Sequence, residues 1–140
     1  MSLVLDASAA LEVVLQRPWA GQIAKSLSEN DEVLAPTLYI AEVTNAFCKY
    51  YRAEELSREQ CEIALERAKA LPDSLISESD LYREAFAMAC LTNMSAHDMF
   101  YLVLARRNNA ALLTLDGKLQ RVARQHDVRV LSLGEEASHG

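Results

Sequence analysis

The stretch Ser2-Leu3-Val4-Leu5-Asp6 opens the chain with a short apolar run that ends in a carboxylate. A second stretch of this kind, Ala110-Ala111-Leu112-Leu113-Thr114-Leu115-Asp116, lies near the other end of the chain. Continuous apolar runs of about four to eight residues are too short for a helix and are typical of strands buried on both faces of a parallel sheet. We therefore predict two such strands, each followed by an aspartate at its carboxyl end.

Further strand and helix signals alternate along the rest of the chain. Short apolar runs predict additional strands at residues 33–35, 75–76 and 128–133. Capping residues and apolar periodicity predict helices at residues 8–16, 18–29, 38–52, 58–71, 78–91, 95–105 and 117–126. Ser8 is predicted to cap the first of these helices. Because strands that alternate with helices join through right-handed crossovers, the pattern predicts an α/β fold whose parallel sheet is covered on both faces.

Length and composition limit the domain organisation. With 140 residues and 51% hydrophobic content, the chain suits one domain, which we place at residues 1–134, followed by a C-terminal tail at 135–140 that we expect to be disordered. No apolar run approaches the ~20 residues that span a bilayer, and no signal peptide is recognisable, so we expect a cytoplasmic protein without membrane contact. An odd number of cysteines without C-x-x-C spacing predicts buried, reduced thiols at Cys48, Cys61 and Cys90.

The charge is unevenly distributed. The net charge of -6 argues against a generic nucleic-acid binder, because phosphate contacts need lysine and arginine. Residues 95–131 nevertheless carry six basic and three acidic side chains, which gives +3. Two interpretations remain open: these cations are solvated helix faces, or they form a basic rim beside an acidic site.

Four carboxylates stand where apolar residues are expected. Asp6 and Asp116 follow strands, Glu42 falls inside the apolar stripe of helix 38–52, and Asp98 begins the helix at 95–105. An ionised carboxylate on a buried face costs several kcal/mol unless a positive charge pairs with it, and a metal ion is one such charge. The alternatives also remain open: the three aspartates could cap helices or turns, and Glu42 could extend from the edge of its stripe into water.

The residue types indicate which metal would bind. Mg²⁺ and Mn²⁺ prefer carboxylate oxygens and water, and such ions activate water for attack on a phosphodiester. Ser8 could hydrogen-bond a carboxylate, and Asn45 shares the helix face of Glu42. His97 is expected to point away from its neighbour Asp98, and neither a nucleophilic triad nor a glycine-rich phosphate loop is recognisable.

Four ordered segments of the chain resemble one known family. They are LVLDASA at 3–9, AEVTNA at 41–46, SAHDMFYLVLA at 95–105 and LLTLDGKL at 112–119. Together they resemble the PIN-domain ribonucleases, in particular the compact VapC-type toxins of prokaryotic toxin-antitoxin pairs. The sequence Asn108-Asn109 departs from the glycine that the family often has there, and asparagine tolerates the same left-handed backbone.

The resemblance implies a three-layer α/β/α fold with a central, mainly parallel sheet and a protruding helical hairpin. It implies cleavage of RNA with Mg²⁺ or Mn²⁺, a homodimer, and a small antitoxin protein that blocks the site. Carried over by position, it implies a catalytic and metal-binding cluster with supporting polar residues; the cluster comprises Asp6, Glu42, Asp98 and Asp116, and the supporting residues are Ser8, Asn45 and Thr114.

Two other functions are considered. A non-catalytic interaction protein could keep the PIN fold without activity. A phosphoacceptor receiver-like domain has a similar length and an acidic pocket, but it needs an acceptor aspartate at the end of an internal strand, whereas residues 33–35 are followed by Pro36. A receiver also has no equivalent of Glu42.

Overall fold

The structure is a computed structural model that describes residues 1–133, so the predicted tail at 135–140 lies outside the described residues. Four strands form one sheet in the order β3-β2-β1-β4, and every neighbouring pair is parallel. Their bounds are β1 Ser2–Leu5, β2 Glu32–Pro36, β3 Ser74–Ile76 and β4 Ala111–Leu113. The parallel sheet that the sequence predicts is therefore present.

Seven α-helices accompany the strands within the described residues. They are α1 Ala7–Val14, α2 Ala20–Glu29, α3 Leu38–Arg52, α4 Arg58–Ala70, α5 Tyr82–Thr92, α6 Ala96–Arg107 and α7 Gly117–Gln125. Ser57 and Gln60 form the predicted capping box of α4, and the Ser95 hydroxyl accepts a hydrogen bond from the backbone N–H of Asp98 at the start of α6. Local polar residues therefore set the beginning of both helices.

Helices cover both faces of the sheet. Leu3, Val4 and Leu5 of β1 have no exposed surface, and since successive strand residues point to opposite faces, both faces must be buried. Helix α6 contacts β1, β2 and β4, and α5 packs against α6, whereas α1 packs with α2, α3 and α4. This arrangement confirms the three-layer α/β/α fold, and α3 and α4 form the expected helical hairpin.

The predicted helix at 78–91 is wrong at its start. Residues Glu78–Asp80 form a separate 3₁₀ turn, and α5 begins only at Tyr82. The Glu78 carboxylate accepts hydrogen bonds from the Thr37 hydroxyl and from the backbone N–H of Leu38, at the beginning of α3. The contact holds Glu78 against α3, and Leu81, with φ -122°, separates the turn from α5.

The predicted last strand at 128–133 is reduced to one bridge between Val130 and Leu112. Strand β4 itself ends at Leu113, where the backbone carbonyl of Thr114 accepts a hydrogen bond from the Gln120 side chain, 2.7 Å away. That carbonyl therefore bonds a side chain of α7 just beyond the end of β4. The bridge places Val130 beside β4, on the side away from β1.

Three smaller expectations are also tested. The cysteines are all unpaired, but only Cys61 is buried, and Cys90 is exposed. Asn109 adopts the left-handed backbone with φ 50°, as its place at the end of α6 predicts. No helix within residues 1–133 has the length and apolar character needed to cross a membrane.

Candidate metal centre

The strand order reverses between β1 and β4. The chain leaves β1 toward β2 on one side and later returns to β4 on the other, and ligands of open parallel sheets bind beyond the strand ends at such a reversal. Leu5 pairs in register with Leu113, and the backbone N–H of Asp6 donates to the carbonyl of Leu113 over 3.2 Å. The fold therefore brings the residues that follow β1 and β4 together at this edge.

Asp6 is held by three hydrogen bonds. Its Oδ1 accepts from the Ser8 hydroxyl at 2.7 Å and from the backbone N–H of Ala9 at 3.1 Å, and its Oδ2 accepts from the Thr114 hydroxyl. The N-cap of α1 is thus Asp6, so the prediction that Ser8 caps this helix is wrong. The Ser8 oxygen also accepts from the backbone N–H of Leu115 at 3.0 Å, which ties α1 to the segment after β4.

Asp6 is buried without a compensating cation. Only 7% of its surface is exposed, and it forms no ion pair within residues 1–133. Burial raises the pKa of Asp6 to about 6, against the hydrogen bonds from Thr114, Ser8 and Ala9 that lower it, and the charge of Glu42 raises it further. A carboxylate shifted by desolvation is typical of a functional site.

Glu42 lies on α3, half-buried, beside the same edge of the sheet. Burial raises the pKa of Glu42; a hydrogen bond from the Tyr101 hydroxyl lowers it, and the charge of Asp98 raises it. Glu42 and Asn45 border one surface cavity of about 300 Å³, together with Ala46, Lys49 and Tyr50. The expectation that Glu42 and Asn45 share a helix face is confirmed.

The other two carboxylates lie at helix N-termini. Asp98 is half-buried in the first turn of α6, where burial raises its pKa, the charge of Asp116 raises it further, and Lys118 lowers it. Asp116 is exposed and caps α7, because its Oδ1 accepts from the backbone N–H groups of Lys118 at 2.9 Å and Leu119 at 3.3 Å. Asp6 and Asp116 therefore both cap helices, as the capping alternative predicts. Their capping hydrogen bonds leave lone pairs free on each carboxylate.

The four acids form one electrostatically coupled group. The charge of Glu42 raises the pKa of Asp6, and the charge of Asp98 raises that of Glu42. The charge of Asp116 in turn raises the pKa of Asp98. Within residues 1–133, no three side chains of His, Cys, Asp or Glu stand close enough to hold one metal ion in this arrangement. The donor set, which is all carboxylate oxygen, is of the kind that Mg²⁺ or Mn²⁺ prefers.

Sequence reasoning missed three residues near this group. Tyr101 donates to Glu42, and it stands three residues after Asp98 on α6, a spacing that places both on one face and could have suggested it. His97 lies near enough for its charge to lower the pKa of both Glu42 and Asp98. Lys118 is the third, since its charge reaches Asp98.

The basic residues of 95–131 do not form one rim around the acids. Arg106 and Arg107 both bond to Glu84 of α5, with N–O distances of 2.6 and 3.0 Å, and Arg129 donates to the backbone carbonyl of Asn109. Arg106 and Arg107 end α6, and Asp98 begins it, so about two turns of helix separate them. For these arginines the basic-rim interpretation is wrong.

Comparisons with known proteins agree with this geometry. The family model described as PIN domain matches residues 3–125. Ribonuclease VapC3 of Pyrobaculum aerophilum is 30% identical over 123 residues, which cover 85% of this chain and 92% of that protein.

Two solved structures share the fold at low identity. The crystal structure of PAE2754 from Pyrobaculum aerophilum has a TM-score of 0.74 at 17% identity and covers 93% of this chain and 83% of that one. The crystal structure of VapBC2 from Rickettsia felis, bound to a DNA fragment from their promoter, has a TM-score of 0.68 at 15% identity. The match covers 94% of this chain and 98% of that one. From the family match, the relative and the fold together, we conclude that this chain belongs to the PIN domain family.

Proposed function

We propose that this protein is a Mg²⁺- or Mn²⁺-dependent endoribonuclease and the toxin of a toxin-antitoxin pair. The observation that carries the proposal is the coupled group of four carboxylates, contributed by four different elements at the strand-order reversal. The named ribonuclease relative supports RNA as the substrate class. We assign the metal-binding and catalytic role to Asp6, Glu42, Asp98 and Asp116.

The chain's own residues would perform distinct tasks in this site. Ser8 and Thr114 hold the Asp6 carboxylate in one orientation, as hydrogen-bond partners of metal ligands commonly do. Asn45 lies beside Glu42 at the adjoining cavity, where its amide could contact a metal-bound water or the substrate. A divalent ion held by the carboxylates would lower the pKa of a bound water and stabilise charge on the phosphate oxygens.

Two basic side chains adjoin the acids on the outer side of the group. Lys118 is exposed at the start of α7, and His97 is exposed at the start of α6; the charge of each reaches Asp98. Lysine and histidine side chains donate hydrogen bonds to phosphate. We propose that RNA approaches from this side and that the other basic residues of 95–131 contribute less, since three arginines already have protein partners.

Cleavage of single-stranded RNA with and without Mn²⁺ tests the activity. We expect Mn²⁺-dependent cleavage that leaves a 5'-phosphate and a 3'-hydroxyl, and Asp6→Asn should reduce the rate at least about 100-fold. Asp31→Asn is the matched control, because it makes the same chemical change at an exposed side chain. Equal activity in the wild type and Asp6→Asn would overturn the assignment.

A small antitoxin protein and a second copy of this chain are the proposed partners. The Rickettsia felis neighbour was solved as VapBC2 with promoter DNA, which supports a partner that also contacts DNA. Titration with the product of an adjacent small gene should suppress cleavage at one antitoxin per toxin. Light scattering after gel filtration should give twice the mass of the 140-residue chain for the free protein. We propose the cytoplasm as the compartment, since the RNA substrate is there.

The alternative functions make opposite predictions. A non-catalytic PIN-fold protein would bind no Mn²⁺ at millimolar concentration and would leave RNA intact. The phosphoacceptor receiver is disfavoured, because the chain belongs to the PIN domain family and because Glu42 stands on a helix beside Asp6. Transfer of phosphate from acetyl phosphate to Asp6 would be the result that favours it.

A further inference from the structure

Tyr101 hydrogen-bonds Glu42, one of the four carboxylates, but is not itself one of the proposed site residues. Its hydroxyl donates to Oε1 of Glu42 over 2.5 Å, between residues 59 positions apart in the chain. Hydrogen bonds from a hydroxyl to a carboxylate have lengths of about 2.5–2.7 Å and are roughly twice as strong as neutral ones. Only 2% of the Tyr101 surface is exposed, so little water competes for this contact.

The acids differ in how they are held. Asp6 accepts three hydrogen bonds and Asp116 accepts two from backbone N–H groups. Glu42 has a longer side chain with one more rotatable bond, and within residues 1–133 its carboxylate accepts a hydrogen bond from Tyr101 alone. The orientation of Glu42 therefore depends on a single donor.

The position of that donor is itself fixed. Tyr101 lies on α6, which packs across β1, β2 and β4, and Asp98 precedes it on the same helix. One helix thus carries one acid directly and orients a second acid, which stands on α3. Since Tyr101 contacts Oε1, the other oxygen of Glu42 and a lone pair of Oε1 remain available to a ligand.

We propose that Tyr101 is a positioning residue that sets the Glu42 carboxylate for metal binding and couples its position to that of Asp98. This role rests on the proposed function, because it presupposes a divalent ion at the four carboxylates. Tyr101 itself contacts neither the ion nor the RNA. Residues that orient metal ligands from behind typically change metal affinity by about 10- to 100-fold when they are removed.

Mn²⁺ titration calorimetry on the full-length protein tests this role without any RNA. Tyr101→Phe should weaken Mn²⁺ binding about 10-fold. Tyr39→Phe is the matched control, because its buried hydroxyl donates to the backbone carbonyl of Ala68 and not to an acid, so its Mn²⁺ affinity should stay within about twofold of the wild type. Tyr101→Leu, a second side chain without a hydroxyl, should give the same weakening as Tyr101→Phe.

A double-mutant cycle shows whether Tyr101 acts through Glu42. In a Glu42→Ala background, adding Tyr101→Phe should cause no further loss of Mn²⁺ affinity, since the hydrogen bond is already gone. In cleavage assays, Tyr101→Phe should raise the Mn²⁺ concentration for half-maximal activity about 10-fold, with kcat at saturating Mn²⁺ within about twofold.

Three results would overturn the role of Tyr101. The first is wild-type Mn²⁺ affinity in both Tyr101→Phe and Tyr101→Leu. The second is an equal weakening of Mn²⁺ binding by Tyr39→Phe. The third is a further loss of Mn²⁺ affinity when Tyr101→Phe is added to Glu42→Ala. If the wild type binds no Mn²⁺, the proposed function fails together with this inference. Wild-type cleavage that Tyr101→Phe leaves unchanged at every Mn²⁺ concentration overturns the inference alone.

Discussion

The two ends of α6 carry acidic side chains in opposite electrostatic surroundings. At its beginning, burial raises the pKa of Asp98, the charge of Asp116 raises it further, and Ser95, His97 and Lys118 only partly offset this. At its end, partial burial of Glu84 is outweighed by hydrogen bonds from Arg106 and Arg107, so the pKa of Glu84 is lowered. Glu84 therefore forms direct ion pairs with two arginines, whereas Asp98 forms no ion pair within the described residues.

This difference separates a structural ion pair from a candidate site. Arginine is the side chain best suited to satisfy a carboxylate, and the fold supplies two of them to Glu84. No ion pair is present at Asp6, Glu42, Asp98 or Asp116 within the described residues. Acids without a direct ion-pair partner are those that an external cation can use.

The largest expected effect contrasts one acid from each end of α6. Asp98→Asn should lower Mn²⁺-dependent RNA cleavage at least about 100-fold, because it removes the charge of a residue that we propose as a metal ligand. Glu84→Gln also removes a negative charge, but from α5 beside the other end of α6. It should leave the cleavage rate within about twofold of the wild type. Initial rates at saturating Mn²⁺ measure both, and a similar loss in the two variants would remove the functional distinction.

A smaller effect is the stabilisation of the fold by metal. A ligand that binds only the folded state stabilises it by about 2.7 kcal/mol when present at 100 times its dissociation constant. Mn²⁺ should therefore raise the melting temperature of the wild type and of Glu84→Gln by several degrees, but not that of Asp6→Asn. Thermal melts with Mn²⁺ or EDTA provide the measurement; an equal rise in Asp6→Asn would place the ion elsewhere.

The smallest effect is a pH dependence of opposite sign at the two clusters. The folded-state pKa of Asp6 is raised to about 6 from 3.8, so its contribution to stability is fully present below the unfolded pKa and is lost as pH rises through about 6. Between pH 5 and 7.5 this amounts to about 1 kcal/mol. Glu84 has a lowered pKa, so its contribution is lost as pH falls instead.

Urea unfolding of the metal-free protein across this pH range isolates the Asp6 part. The wild type should lose more stability than Asp6→Asn as pH rises from 5 to 7.5, because asparagine does not ionise. Asp31→Asn should follow the wild type over the same range, since Asp31 is exposed and its pKa is lowered by the N-terminal amine. Parallel pH profiles for the wild type and Asp6→Asn would show that burial costs Asp6 little.

Much of the fold could be predicted because its signals are local. The apolar runs of β1 and β2, the bounds of α3 and the caps at Ser57 and Ser95 depend on residues within a few positions of one another. The break before α5 could not be predicted this way, because Glu78 is held by Thr37, 41 residues earlier in the chain. The single bridge at Val130 likewise depends on how β4 ends.

The sequence by itself determined the parallel α/β architecture and named the four carboxylates, since apolar periodicity and an acid at an apolar position are visible along a single chain. Only the tertiary structure decided which acids have partners. In it, Arg106 and Arg107 form ion pairs with Glu84, and the Tyr101 hydroxyl donates a hydrogen bond to Glu42. The physical reason is that burial and Coulomb interactions depend on distance in space, and strand order and helix packing set those distances.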